Sequence, residues 1–217
     1  MSSLHRTLDA VIGLSALVGV EKVLRSVPDR ASFLPDVALS EGGHLASALE
    51  RRGVSSFRDA GRYVRSLPYG RPSERPAFLH VVGEGRGTCS SKHACIAALA
   101  REVGIGLRLM LGVFDMDEAN TPGVGPVLAA ANVASLPEAH CWIEMANGPV
   151  DLTKEGADAD LAKRRFRLVQ EITPEQSEAY KQSFHRTAFA SCAVATALGF
   201  EAGWALREEC IAALADR

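Results

Sequence analysis

GEGRGTCSSKHACIAALAREVGIGLRLMLGVF (residues 83–114) reads as a glycine-rich turn, a helix opened by Cys89, and a buried strand. Thr88 can cap the helix through its side-chain oxygen, and Gly104 can stop it in a left-handed conformation. Apolar residues at 95, 96, 99 and 103 form the stripe of a helix packed on a core. LRLMLGVF, residues 107–114, has the continuous apolar character of a buried strand. Cys89 therefore sits at a helix N-terminus, where partial positive charge and unpaired N–H groups favour thiolate over thiol. The same N–H groups can hold an oxyanion.

Upstream, Leu4, Leu8, Val11, Ile12 and Ser15 have helical spacing, which predicts an amphipathic first helix rather than a signal peptide. Pro28 and Pro35 break the chain, and HLASALERRG predicts a helix ending at Gly53. Ser56 can cap FRDAGRYVRSL, which stops before Pro68. PYGRPSERP is a loop, and FLHVV reads as a short strand or a buried approach to the turn. Downstream, residues 115–139 form a segment of the length used for lids and specificity loops. AHCWIEMA and PVDLT flank the hairpin signal Asn147-Gly148, and FRLVQEI predicts a further strand. Thr173-Pro174-Glu175-Gln176 is a helix-start signature, with helices filling the remainder to Arg217. The pattern is α+β.

At 217 residues and 47% hydrophobic content, the chain suits one well-buried domain. A formal charge of -2 with scattered Lys and Arg excludes a basic field for nucleic acid. No stretch has transmembrane length, so no membrane partner is expected. Five cysteines, at 89, 95, 141, 192 and 210, form no CxxC pair, which argues against a disulfide framework and a thiolate zinc site and for reduced thiols in a cytoplasm. The histidines form no HExxH, and GEGRGT lacks the Lys-Ser/Thr ending of a P-loop. Neither metal nor cofactor is expected.

A nucleophilic thiol needs a base, usually histidine, and a group that orients the base. His93 lies one helical turn after Cys89, but no carboxylate stands near it in sequence. His140, in an extended run, has Asp151 a few residues later across a turn, and geometry favours it. Cys141 alternates with His140 and points to the opposite face. A strict two-residue turn at Asn147-Gly148 sets Asp151 opposite Glu144, about 13 Å along the strand from His140. A wider turn or a bulge would bring Asp151 closer; otherwise Glu138 and Glu144, which share a strand face with His140, are next. One of Lys92 and His93 is expected to line the site, Lys92 because a lysine three residues after a thiol can stabilise its anion. Tyr69 is a candidate oxyanion donor, and Trp142 is a packing residue under the site before it is a substrate platform.

Together, G-T-C at 87–89, the helix ending L-A-R-E-V-G-I, the strand after it, A-H-C-W-I-E and V-D-L-T resemble the transglutaminase-like superfamily of papain-type cysteine enzymes over residues 79–153. The resemblance implies a papain-like, transglutaminase-like domain over residues 1–217, with a core at about 57–172, helical extensions at both ends, and a small antiparallel sheet on the nucleophile helix. It implies Cys89 as nucleophile, His140 as base and then acid, and Asp151 as the orienting group. The expected chemistry is cleavage or transfer of an amide or acyl group through a thioester. Hydrolysis, as in a peptidase, amidase or deamidase, is favoured over an amine acyltransferase, with a non-catalytic binding module as the alternative. A peptide, protein or small amide is the expected substrate.

Overall fold

A computed structural model describes residues 30–39 and 43–215. The predicted first helix and the break at Pro28 lie outside those residues. A 3-10 turn at Arg30–Phe33 leads to α1 (His44–Glu50), α2 (Phe57–Ser66), α3 (Ala77–Glu84) and α4 (Cys89–Glu102). Then come β1 (Arg108–Met116), α5 (Gly125–Ala130), β2 (Leu136–Met145), β3 (Gly148–Val150), α6 (Ala157–Leu161) and β4 (Arg167–Ile172). A 3-10 turn at Pro174–Ser177 precedes α7 (Ala179–Ala190), α8 (Ala193–Leu198) and α9 (Phe200–Ala215). No helix among the described residues is long and apolar enough to cross a membrane.

Local chemistry explains the helix boundaries near the site. Ser56 accepts the Asp59 N–H at the start of α2. Thr88 and Ser91 exchange side-chain and backbone bonds in a capping box that opens α4. Gly104, at φ +71°, lets the chain leave α4 in the left-handed region. FLHVV is helical, not a strand: it forms most of α3, burying Phe78, Val81 and Val82 at i, i+3 and i+4. Gly87 is required by proximity, because a Cβ there would stand 2.7 Å from Lys92 Cγ.

Helix α4 is more central than its apolar stripe implies. Cys89, Ser91–Ala97, Leu99 and Ala100 are all buried. It packs against α1, α2 and α3 on one side and β2 on the other. Its Ile96 and Leu99 join Leu111, Val113, Ala139, Cys141 and Ile143 in the main core. Full burial of each such aliphatic side chain contributes about 1.5–3 kcal/mol.

The sheet is four-stranded and antiparallel, in the order β3-β2-β1-β4. β1 and β2 pair without interruption from Arg108 opposite Glu144 to Met116 opposite Leu136, which places His140 opposite Gly112. Across β1 and β4 the register shifts between Leu111 and Val113. Gly112 makes room at this point: a Cβ would meet Phe166 Cδ1 at 2.8 Å and the Trp142 ring at 3.1 Å. A second apolar cluster joins Phe114, Met116 and Leu136 of the sheet to Phe189, Leu206 and Cys210 of the C-terminal helices. Those helices thus stand against the same end of the sheet as His140.

The hairpin corrects one expectation. Met145 pairs with Gly148, Glu144 with Pro149 and Ile143 with Val150, so the two-residue turn is Ala146-Asn147 rather than Asn147-Gly148. Continuing that register would set Asp151 opposite Trp142, two residues from His140 and on the same sheet face. A one-residue slip, with neither a wider turn nor a bulge, brings the carboxylate within reach.

Candidate active site

Three elements meet at Cys89: the start of α4, the middle of β2 and the chain just after β3. His140 Nε2 lies 2.7 Å from Asp151 Oδ2, with Asp151 fully buried and His140 5% exposed. With Nε2–H donating to the carboxylate, Nδ1 is the nitrogen left for the thiol, whose acidity the His140 ring increases. Asp151 is itself held: it accepts from the Thr153 N–H at 2.9 Å and from Arg164 at 3.3 Å, and its own N–H donates to Asp158 at 2.9 Å.

Charge follows that geometry. Burial alone would raise the Cys89 thiol, but the ammonium of Lys181 and the ring of His140 outweigh it and bring the thiol down to about 6. Burial disfavours the His140 cation, yet the Asp151 carboxylate and the Cys89 sulfur raise its pKa overall. Burial also opposes ionisation of Asp151, and His140, His93 and Arg164 hold its carboxyl well below the usual range. The arrangement favours a thiolate–imidazolium pair at neutral pH. Cys95 and Cys141 are the contrast, since burial pushes each thiol up to about 12.

Lys92 and His93 are buried behind Cys89 and line neither adjoining cavity. Lys92 Nζ donates to the carbonyls of Arg65, Leu67 and Thr153, at 3.3, 2.5 and 2.8 Å, drawing the loop before Tyr69 toward the chain after Asp151. Desolvation lowers its pKa to about 8. His93 donates from Nδ1 to the Cys89 carbonyl at 2.5 Å and accepts the Leu152 N–H at Nε2, 2.7 Å away. Both side chains fasten the start of α4 to the chain around Asp151.

The other predicted residues separate by position. Tyr69 and Glu138 border both cavities beside Cys89. Burial, then the charges of Cys89 and Glu138, raise the Tyr69 hydroxyl and keep it a neutral donor. Glu138 receives two bonds from Arg207, at 2.6 and 2.7 Å, and is committed to that guanidinium. Trp142 packs on Phe166 at 4.4 Å between centroids, and Phe166 in turn stacks on His140 at 6.3 Å. Trp142 Nε1–H donates to Glu144, which takes that bond rather than one from His140.

Two cavities open on Cys89. One, about 270 Å³, is walled by Phe114, Met116, Pro122, Ile211 and Leu214 and reaches His140 and Arg164. The other, about 460 Å³, runs past Ser90 and Lys181 toward Arg71, Arg75 and Glu178. Of the segment anticipated as a lid, residues 117–135 connect the strands, contain α5 and give Thr121 and Pro122 to the first wall. Lys181, Arg164 and Arg207 were not visible as site residues in the sequence. They lie 92, 75 and 118 positions beyond Cys89 (181, 164 and 207 minus 89), and no motif surrounds them. Among the described residues, no group of three or more His, Cys, Asp or Glu could hold a metal ion.

The model of the transglutaminase-like superfamily matches residues 46–151, the span from α1 through Cys89 and His140 to Asp151. No curated protein and no solved structure matches the chain.

Proposed function

We propose, from the match of residues 46–151 to the model of the transglutaminase-like superfamily, that this chain is a cysteine-dependent enzyme acting on an amide or acyl bond through a thioester on Cys89. The observation that carries the proposal is His140, bound to Asp151 through Nε2 at 2.7 Å and bordering the same cavity as Cys89 with Nδ1 not engaged by the carboxylate. The packing of the sheet on the Cys89 helix supports a papain-like arrangement of the three groups.

The Cys89 thiolate attacks the carbonyl carbon and the C–S bond forms as the carbonyl π pair moves to oxygen. His140 gives the Nδ1 proton to the leaving amine, the C–N bond breaks, and a thioester remains. Water then attacks, His140 takes its proton, and the thiolate leaves with the acid released. An amine in place of water gives acyl transfer by the same steps. Hydrolysis is the favoured outcome, because water reaches an open cleft without a dedicated acceptor site. The apolar cavity of about 270 Å³ fits the side chain of a peptide or a small amide. All five cysteines are free, which suits a reducing cytoplasm.

The test is the pH profile of Cys89 carboxamidomethylation by iodoacetamide, followed by peptide mass mapping. One thiol should react with a midpoint near 6, and Cys89→Ala should lack it. Asp151→Asn should move that midpoint upward. A Cys89 that titrates like a free cysteine, near about 8.5, overturns the enzyme reading.

A further inference from the structure

Lys181, on α7, brings an ammonium to the sulfur. Its Nζ lies 3.6 Å from Cys89 Sγ, its sole hydrogen-bonding partner among the described residues. The other cations bordering the same cavity are paired: Arg207 with Glu138, Arg71 with Glu208 and Arg75 with Glu178. Lys181 also feels Glu138, Cys141 and Arg207. Glu138 is already held by two guanidinium bonds, and Cys141 is kept a neutral thiol by burial.

This pairing has a consequence once the sulfur reacts. When the C–S bond forms, the thiolate charge disappears and Lys181 loses the partner it is hydrogen-bonded to, while Glu138 stays committed to Arg207. The charge reappears on the carbonyl oxygen, two bonds from sulfur. We propose that Lys181 is a catalytic residue whose ammonium balances the Cys89 thiolate before attack and the oxyanion after it. The proposal rests on the thioester reading above. It assigns the second oxyanion contact, beside the helix N-terminus, to a residue after the sheet rather than to the Tyr69 loop alone.

The test compares two reagents on the same thiol. Alkylation by iodoacetamide consumes the thiolate by displacing iodide and forms no oxyanion. Acylation by p-nitrophenyl acetate forms one: sulfur bonds to the acetyl carbon, the π pair moves to oxygen, and its return expels nitrophenolate, which needs no proton. Both rates scale with the thiolate fraction, so their ratio at one pH cancels any change in thiol acidity. Lys181→Met should lower the ratio of acylation to alkylation by on the order of 100-fold, the scale of losing one oxyanion donor. Lys181→Arg, which keeps the charge, should restore most of it and shows that the site still folds.

A fall smaller than about tenfold in Lys181→Met overturns the role of Lys181. If wild-type Cys89 is alkylated but never acylated, the thioester reading falls and this proposal with it. If wild-type Cys89 is acylated, Cys89→Ala is inert and the ratio is unchanged in Lys181→Met, only the inference about Lys181 is lost.

Discussion

Acid should loosen the fold through His93, by an amount that its two hydrogen bonds set. The ring is fully buried, donates to the Cys89 carbonyl and accepts from the Leu152 N–H. A second proton, on Nε2, would face that N–H donor and break the bond. Burial first, with help from the charges of His140 and Lys92 and against the pull of Asp151, lowers the ring from 6.5 to about 4. In the unfolded chain it takes a proton near 6.5, in the native state only near 4. Between those values the unfolded state binds more protons, so stability falls as pH drops through 6.5 and stops falling below about 4. The gap, 6.5 minus 4, is worth about 3 kcal/mol. That is a large share of the roughly 5–15 kcal/mol that holds a domain together.

Other groups titrate nearby, and their signs differ. His140, whose pKa is raised, adds stability below its unfolded value and loses it as pH rises through the folded one. Glu138, opposed by burial but held down to about 2 by Arg207, loses its contribution only as pH falls from 4.5 toward 2. His185, lowered mainly by burial, works in the same direction as His93. A variant isolates the effect of His93: Glutamine can accept the Leu152 N–H and does not titrate. Urea unfolding followed by tryptophan fluorescence should find His93→Gln about 1–3 kcal/mol less stable near neutral pH, from the imperfectly satisfied Cys89 carbonyl. The difference should shrink by about 3 kcal/mol on going down to about pH 4. Parallel stability curves for wild type and variant would refute the assignment of His93 as a neutral buried tie.

Three further outcomes follow from contacts in and behind the site. Glu138→Gln leaves the buried Arg207 guanidinium unbalanced and should cost about 3–5 kcal/mol in urea unfolding, whereas Glu138→Leu combined with Arg207→Met should recover most of that loss; a single variant as mild as the double contradicts a buried pair. Gly112→Ala pushes its Cβ into Phe166, which stacks on His140, so it should cost about 1–3 kcal/mol and slow Cys89 alkylation; a variant with wild-type stability and rate shows that the contact is not tight. Asp151→Asn removes the charge that raises His140, so the imidazole should titrate lower by NMR and, through the weaker imidazolium, the Cys89 thiol should titrate higher. An unmoved imidazole contradicts the pairing.

How far the sequence carried depended on the range of the forces involved. The opening of α4 was legible because Thr88, Cys89 and Gly104 act within one turn of where they stand. The strands were legible from the apolar run 107–114 and the strand-like run 139–146, which are local patterns, while Asp115–Met116 and Leu136–Ala139, read as parts of the lid segment, belong to the strands as well. The hairpin was misplaced by one residue, since Asn147-Gly148 and Ala146-Asn147 turns differ only in which pairing the sheet stabilises. That single residue decides whether Asp151 reaches His140. FLHVV was ambiguous at five residues, too short for a period of two to be told from 3.6. Lys92 looked like a thiolate neighbour by spacing, but its side chain turns to three carbonyls that only the folded loops supply.

The cations were illegible for a deeper reason, and they give the site its order. From one end, the groups, all buried but the half-buried Lys181, alternate in sign: Asp151, His140, Cys89, Lys181, Glu138, Arg207. Each charge has an opposite neighbour, which is what permits so many ionised groups in one desolvated place. The alternation explains why Glu138, on the same strand face as His140, is not its partner: it closes the far end of the series with Arg207, while Asp151 closes the near end with Arg164 beside it. The family match covers residues 46–151 and so contains Asp151, His140, Cys89 and Glu138. Of the series, the acids, the histidine and the thiol lie inside that span. Lys181 and Arg207, with Arg164, lie beyond it, on the loop after α6 and on helices α7 and α9. The C-terminal helices are therefore part of the site's electrostatics rather than an appendage to the core. Removing them would leave Cys89 without the first cation that lowers its thiol and Glu138 without either of its bonds to Arg207.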